Sequence, residues 1–210
     1  MPVKLLTMHP EQKKYVINTS LTPIGNSSAG VGLIEVLIAM LVMAVGILGF
    51  VGLQTTAKRT GYEAMQRSTA VYLINDVLER MRSNSPAVYG GNYSVSNLGN
   101  ASRGNTAPGC LDTSSCLSSE IASYDLWEWE QRLDGAVEGG RGGLVSPRGC
   151  INVNDGFITV AIAWRGYSEG VDPNNAEDID NCGAGLGIYD GSAADSLRQV
   201  VVSTSYINDN

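Results

Sequence analysis

Residues 29–53 read Ala-Gly-Val-Gly-Leu-Ile-Glu-Val-Leu-Ile-Ala-Met-Leu-Val-Met-Ala-Val-Gly-Ile-Leu-Gly-Phe-Val-Gly-Leu, and the 18 residues from Val36 to Leu53 carry no charge. As a helix rising about 1.5 Å per residue, that run covers roughly 27 Å, close to the ~30 Å hydrocarbon core of a bilayer. One carboxylate, Glu35, stands at its N-terminal edge, five residues after Gly30. A charge at the mouth of a membrane helix costs free energy unless it is paired or has a task. The run therefore predicts a helix buried in lipid or among other helices, with one acidic residue kept for a reason.

Charge is distributed unevenly around this run. The first 30 residues hold Lys4, Lys13 and Lys14 against Glu11, whereas the rest of the 210-residue chain holds 11 basic and 20 acidic groups, and the net charge is −7. Positive charge before the span and negative charge after it predict a cytoplasmic N-terminus and an exported C-terminal domain. About 150 residues remain outside the leader and the span, enough for one modest domain with its own core. No basic footprint exists, so no nucleic-acid partner is expected.

An ordinary secretory signal is cut after its apolar run. Here the small pair Ala29-Gly30 precedes the run, and cleavage after Gly30 keeps the helix and makes Glu35 the fifth residue. The string Gly30-Val31-Gly32-Leu33-Ile34-Glu35-Val36-Leu37-Ile38-Ala39 resembles the class III signal of type IV pilins and type II secretion pseudopilins. The resemblance implies that a prepilin peptidase cuts between Gly30 and Val31 and methylates Val31. The family usually has Phe at that place, so Val31 is a departure, and the leader is long for the family. The resemblance also gives Glu35 a role: it pairs with the N-terminal amine of a neighbouring subunit and sets the axial register. A carboxylate buried in a lipid-free helical core needs such a partner. A plain single-pass anchor, with Glu35 at the headgroup level, is the bland alternative.

Gly46, Gly49 and Gly52 recur every third residue. Each weakens a helix in water by up to about 1 kcal/mol relative to Ala, but small residues let membrane helices approach closely. Gly52 also stands near the position where many major pilins carry a helix-breaking Pro, and the resemblance implies local unwinding there. Beyond Leu53 the pattern becomes amphipathic. Ala64, Val71 and Leu78 are seven apart, as are Ile74 and Met81, which predicts one inward stripe on a helix running from about Gly32 to Met81. Ser83-Asn84-Ser85-Pro86 ends it.

Residues 86–109, rich in Gly, Asn, Ser and Tyr, predict no long regular element. Leu117 to Leu133 reads as a short helix, capped by Ser118 and Ser119, with Leu126, Trp129 and Leu133 facing inward. Gly139-Gly140-Arg141-Gly142-Gly143 is a turn or link, because a phosphate loop needs a lysine and a strand-to-helix setting that are both missing. Cys150–Val153 and Phe157–Trp164 alternate as strands around an Asn154-Asp155-Gly156 turn, and Leu197–Tyr206 is a further strand.

The four cysteines, Cys110, Cys116, Cys150 and Cys182, all follow the span, and an even number in an exported domain favours two disulfides over buried thiols. A local Cys110–Cys116 clip and a Cys150–Cys182 bridge are one arrangement among the three connectivities that four cysteines allow. No metal is expected: there is no Cys-x-x-Cys pair, and the single histidine, His9, lies in the leader. Asp172, Asn174, Glu177, Asp178 and Asp180 invite a calcium reading, but the EF-hand glycine and final glutamate are absent, and a solvated acidic loop is the expectation. No cofactor and no catalytic constellation are indicated. The paired carboxylates Glu128 and Glu130 lie two apart, on different faces of a helix.

The expected architecture is α+β, a pilin fold in which a long N-terminal helix packs on a small antiparallel sheet. Its parts are a leader (1–30), a transmembrane or filament-core segment (31–53) and an extracytoplasmic domain (54–210). Ala161-Ile162-Ala163-Trp164-Arg165-Gly166 and Leu197-Arg198-Gln199-Val200-Val201-Val202 are similar to the minor-pilin branch of the superfamily. That resemblance implies a structural subunit, not an enzyme, which helps prime pilus assembly. Its implied partners are the prepilin peptidase, other minor pilins, the major pilin, a tip adhesin and the inner membrane, from which it passes to the cell surface. The rival readings are a type II secretion pseudopilin and an anchored extracytoplasmic enzyme or binding module.

Overall fold

The structure is a computed structural model, and it describes residues 32–110, 116–135, 143–170 and 181–208. The leader, the Gly30-Val31 processing pair, Gly139–Gly142 and the acidic run 172–180 lie outside the described residues. Chain contacts separate a first unit ending at Leu48 from a second comprising Gly49–Asn210.

Helix α1 (Leu33–Ser83) is 51 residues long. It contains no proline, and the described part of the first unit is helical from Leu33 onward with every side chain exposed. Helix continues through Gly52, so the local unwinding expected there is absent. In water-free surroundings an intact backbone ladder is the lowest-cost state, because lipid offers a freed carbonyl no partner.

In the second unit α1 buries Gln66, Ala70, Leu73, Ile74, Val77, Leu78 and Met81. This corrects the predicted stripe: Ala64 and Val71 are exposed. A seven-residue row drifts by about 20° per heptad on a straight helix, so the two rows 64/71/78 and 74/81 are neighbours, not one line. The core-facing face centres on Ala70 and Val77, which leaves Ala64 and Val71 on its far shoulder.

The helix stops as predicted. Asn84 donates its amide to the Met81 carbonyl at 3.1 Å, and α2 (Ser85–Tyr89) restarts with proline in its first turn. The short strand β1 (Val95–Leu98) follows. Helix α3 (Ser118–Leu133) buries Leu126, Trp129 and Leu133 as expected. Its cap differs from expectation: Ser118 and Ser119 lie inside the helix, and the Glu120 carboxylate accepts the Leu117 N–H at 2.9 Å.

Strands β2 (Arg148–Asn154), β3 (Phe157–Arg165) and β4 (Arg198–Tyr206) complete one four-stranded antiparallel sheet in the order β1-β2-β3-β4. Asn154 pairs with Phe157 across a two-residue turn. Asp155 and Gly156 there have φ of 49° and 79°, the conformation that Asp-Gly favours and that matches the strands' right-handed twist.

Central strand β3 is buried on both faces. Ile158, Val160, Ile162 and Trp164 enter the main core with α1, α2 and α3. Ala161 and Ala163 face the other way, under Cys150, Cys182 and Tyr189. Gly149 is imposed by close approach: a Cβ there would stand 2.6 Å from Trp129 Cη2 and 3.0 Å from Leu133 Cδ1. Trp129 itself is fully buried and donates its indole N–H to the Leu73 carbonyl at 2.9 Å, joining α3 to α1.

Candidate functional site

The helix start has little machinery of its own. Glu35 lies in the first turn of α1, where the partial positive charge of the helix N-terminus favours a carboxylate. Its own amide bonds the Gly32 carbonyl at 2.8 Å. Around it Leu33, Ile34, Leu37, Ile38 and Leu41 are all more than half exposed. A window of α1 has a mean hydropathy of 2.8 and no buried residue, so by length and composition the helix can cross a membrane. A Cβ added at Gly46, Gly49 or Gly52 would meet nothing within 4 Å. No contact among the described residues therefore requires those glycines, and each leaves a shallow notch that another helix can enter.

The second unit is held by charge networks whose logic lies in the tertiary structure. Arg80 on α1 reaches Asp76 (3.2 Å), Asp125 (3.2 Å) and Glu128 (2.7 Å). Arg132 on α3 reaches the same Asp76 (2.6 Å) and Glu128 (2.8 Å). Tyr93 donates its hydroxyl to Asp125 at 2.6 Å and receives the Asn84 side-chain amide at 3.2 Å. Burial works against the Arg80 charge, but the hydrogen bond to Glu128 and the charges of Asp76 and Glu128 outweigh it and hold the guanidinium ionised. The hydrogen bond from Arg80 pulls Glu128 below the usual carboxylate range. Burial, with the hydrogen bond to Asp125, pushes the Tyr93 phenol upward.

Two residues along α3 the chemistry changes. Glu130 is 0% exposed, and its carboxylate accepts four hydrogen bonds: from the amides of Gly99 (3.0 Å), Ser102 (2.6 Å) and Arg103 (2.8 Å), and from the Ser102 hydroxyl (2.5 Å). One turn further, Asp134 accepts the amides of Asn100 (2.9 Å) and Ala101 (2.7 Å). Asn100 and Ala101 have φ of 61° and 52°, and this left-handed bend turns successive amides toward the two carboxylates. Glu128 and Glu130 thus do lie on different faces, one in an ion network and one as the buried anchor of loop 99–103.

The cysteines pair as Cys110–Cys116 and Cys150–Cys182. The second bridge fixes segment 181–197 over the outer face of β3, where Tyr189 donates its hydroxyl to the Ser146 carbonyl at 2.8 Å. Burial raises the Tyr189 phenol as well. Among the described residues no cluster of three or more His, Cys, Asp or Glu side chains is placed to hold a metal. The roles of Arg80, Tyr93 and Glu130 escaped the sequence reading because, apart from Asp76 beside Arg80, their partners lie 9 to 48 residues away. A polar residue at an otherwise inward helical position, as at 130, is the one signal that could have found them.

The family model described as Tt1218-like (type IV pilin Tt1218) matches residues 52–127. That is about a third of the chain, from the middle of α1 into α3, and it supports the type IV pilin superfamily and a pilin subunit. No curated protein and no solved structure matches the chain.

Proposed function

We propose that this chain is a type IV pilin-class structural subunit and, within that class, a minor pilin. Within that class it resembles the minor pilin PilV in Ala161–Gly166 and Leu197–Val202. The observation that carries the reading is Glu35 at the head of a helix whose large apolar side chains from Leu33 to Leu53 are all exposed among the described residues. Such a surface requires lipid first and other helices afterwards. A prepilin peptidase cuts between Gly30 and Val31 and methylates Val31. The subunit waits in the inner membrane with its C-terminal domain outside, then docks among other minor pilins and the major pilin near the pilus tip, beneath an adhesin. Glu35 accepts the N-terminal amine of the neighbouring subunit and fixes the axial step. This work is mechanical, and no catalytic residue is assigned.

Intact-mass and N-terminal analysis of the protein from its native membrane tests the processing. A chain starting at N-methylated Val31 is the expected result; a chain retaining residues 1–30, or cut after the apolar run, would overturn it. For the register role, Glu35→Ala is expected to insert in the membrane and stay out of filaments. Normal incorporation of that variant would refute the pairing.

A further inference from the structure

The two edges of the sheet are treated differently. Edge strand β1 has four residues, and its register against β2 is irregular, with Asn97 at a φ of 55°. Shortness and irregularity are ways in which sheet proteins protect an edge. Edge strand β4 has neither. It has nine residues paired to β3 without a register break, and from Gln199 through Asn208 it holds no charge and no proline.

The direction of its free groups follows from the ladder ends. Gly166 N–H bonds the Leu197 carbonyl (2.8 Å), and Ile207 N–H bonds the Gly156 carbonyl (2.9 Å). Odd-numbered residues of β4 therefore face β3, and the backbone groups of Val200, Val202, Thr204 and Tyr206 face outward. Those outward groups have no partner among the described residues. Beside them Tyr206 and Phe157 form an aromatic pair with centroids 4.9 Å apart, 53% and 66% exposed.

We infer that the β4 edge is a strand-pairing surface and that its occupant is a second copy of this chain, joined antiparallel about a two-fold axis at Ser203. The edge is self-complementary in that register. Val200 faces Tyr206 of the other copy, and Val202 faces Thr204, all β-branched or aromatic cross-strand pairs. The four outward residues of each copy exchange about eight backbone hydrogen bonds. No like charges meet across the seam. The remaining opposition is long-range, because each copy carries a net charge of −7. Added salt screens that repulsion, from a Debye length of about 10 Å at 0.1 M to about 3 Å at 1 M, so pairing strengthens with ionic strength. This inference does not depend on the pilus reading, since it uses only the sheet of the second unit.

The test uses the full chain in its membrane and in non-ionic micelles. All described native cysteines are paired, so Thr204→Cys introduces one free thiol at the seam. Tyr72→Cys, on the exposed face of α1, is the control. Thr204→Cys is expected to form self-cross-linked dimer with a short bis-maleimide at least ten times more efficiently than the control, with the yield rising several-fold from 0.1 M to 1 M salt. Adding Val202→Lys, which places a charge where the edges meet, should return the yield to the control level while the thermal melt stays unchanged. Equal yields at the two sites, a yield that falls with salt, or cross-linking of Thr204→Cys only to a different polypeptide would overturn the proposal. The two-site comparison decides the matter even if the lysine variant fails to fold.

Discussion

Replacing Glu130 by alanine should cost far more than replacing Glu128, although the two acids are two residues apart on one helix. Glu130 is 0% exposed, and four donors converge on it. Its loss strands the buried Gly99 amide, at about 1–3 kcal/mol, and removes three partly buried charge-assisted bonds whose donors can turn to water, at about 0.5–1 kcal/mol each. The sum is about 2.5–6 kcal/mol. Glu128 is different, because water reaches it and its partners have other acids: Arg80 keeps Asp76 and Asp125, and Arg132 keeps Asp76. Glu128→Ala should therefore cost about 1 kcal/mol. Urea unfolding of the full chain in non-ionic micelles, followed by tryptophan fluorescence, compares them directly, since Trp129 and Trp164 are buried. Glu130→Gln, which keeps one acceptor oxygen, should lose about half as much as Glu130→Ala. If Glu128→Ala proves as damaging as Glu130→Ala, the assignment of Glu130 as the anchor of loop 99–103 is refuted.

Three further outcomes are expected. Gln66 is 3% exposed and both of its amide atoms lack partners among the described residues, so Gln66→Leu should raise stability by about 1–3 kcal/mol; a lower melting temperature would contradict that. Glu128 has a lowered folded-state pKa, so its contribution is present above the ordinary carboxylate value of about 4.3 and is lost as pH falls through the folded value. Tyr93 and Tyr189 are raised, so theirs is present below about 10 and is lost as pH climbs beyond it. A melting-temperature plateau between about pH 5 and 9.5 follows, and Glu128→Gln should flatten its acid limb; an unchanged limb would count against the Arg80–Glu128 pairing. Replacing Cys150 and Cys182 together with serine opens a bridge between positions 32 residues apart, at about 3–4 kcal/mol by loop entropy; reductant should reproduce the loss, and indifference to both treatments would show that segment 181–197 is held without the bridge.

Periodicity and turn chemistry made much of the architecture legible. The charge-free run and the absence of proline marked α1, Pro86 marked its end, and Asn154-Asp155-Gly156 marked the hairpin. The cysteine count pointed to two bridges without choosing their partners. What stayed hidden depends on distant contacts. Strand β1 has four residues in a Gly- and Asn-rich stretch and becomes a strand only because β2, some 50 positions away, pairs with it. Val71 looked like a core residue because a heptad row and the true core face differ by a rotation that only packing reveals. The helix cap at Leu117 was misplaced because Glu120 could reach back to it, making the serines unnecessary. Glu35 stood out in the sequence for the opposite reason: a lone charge beside an apolar run needs no tertiary context to be conspicuous.

The closeness of Trp129 to Gly149 has a consequence for variation. The indole occupies the volume that a side chain at 149 would need, so the two positions behave as one variable in sequence space. A library randomised at both should return glycine at 149 wherever tryptophan is kept at 129. Alanine or serine should appear at 149 only beside a smaller partner. Drift at either site alone is then closed, and the α3–β2 contact can change only by two coordinated steps.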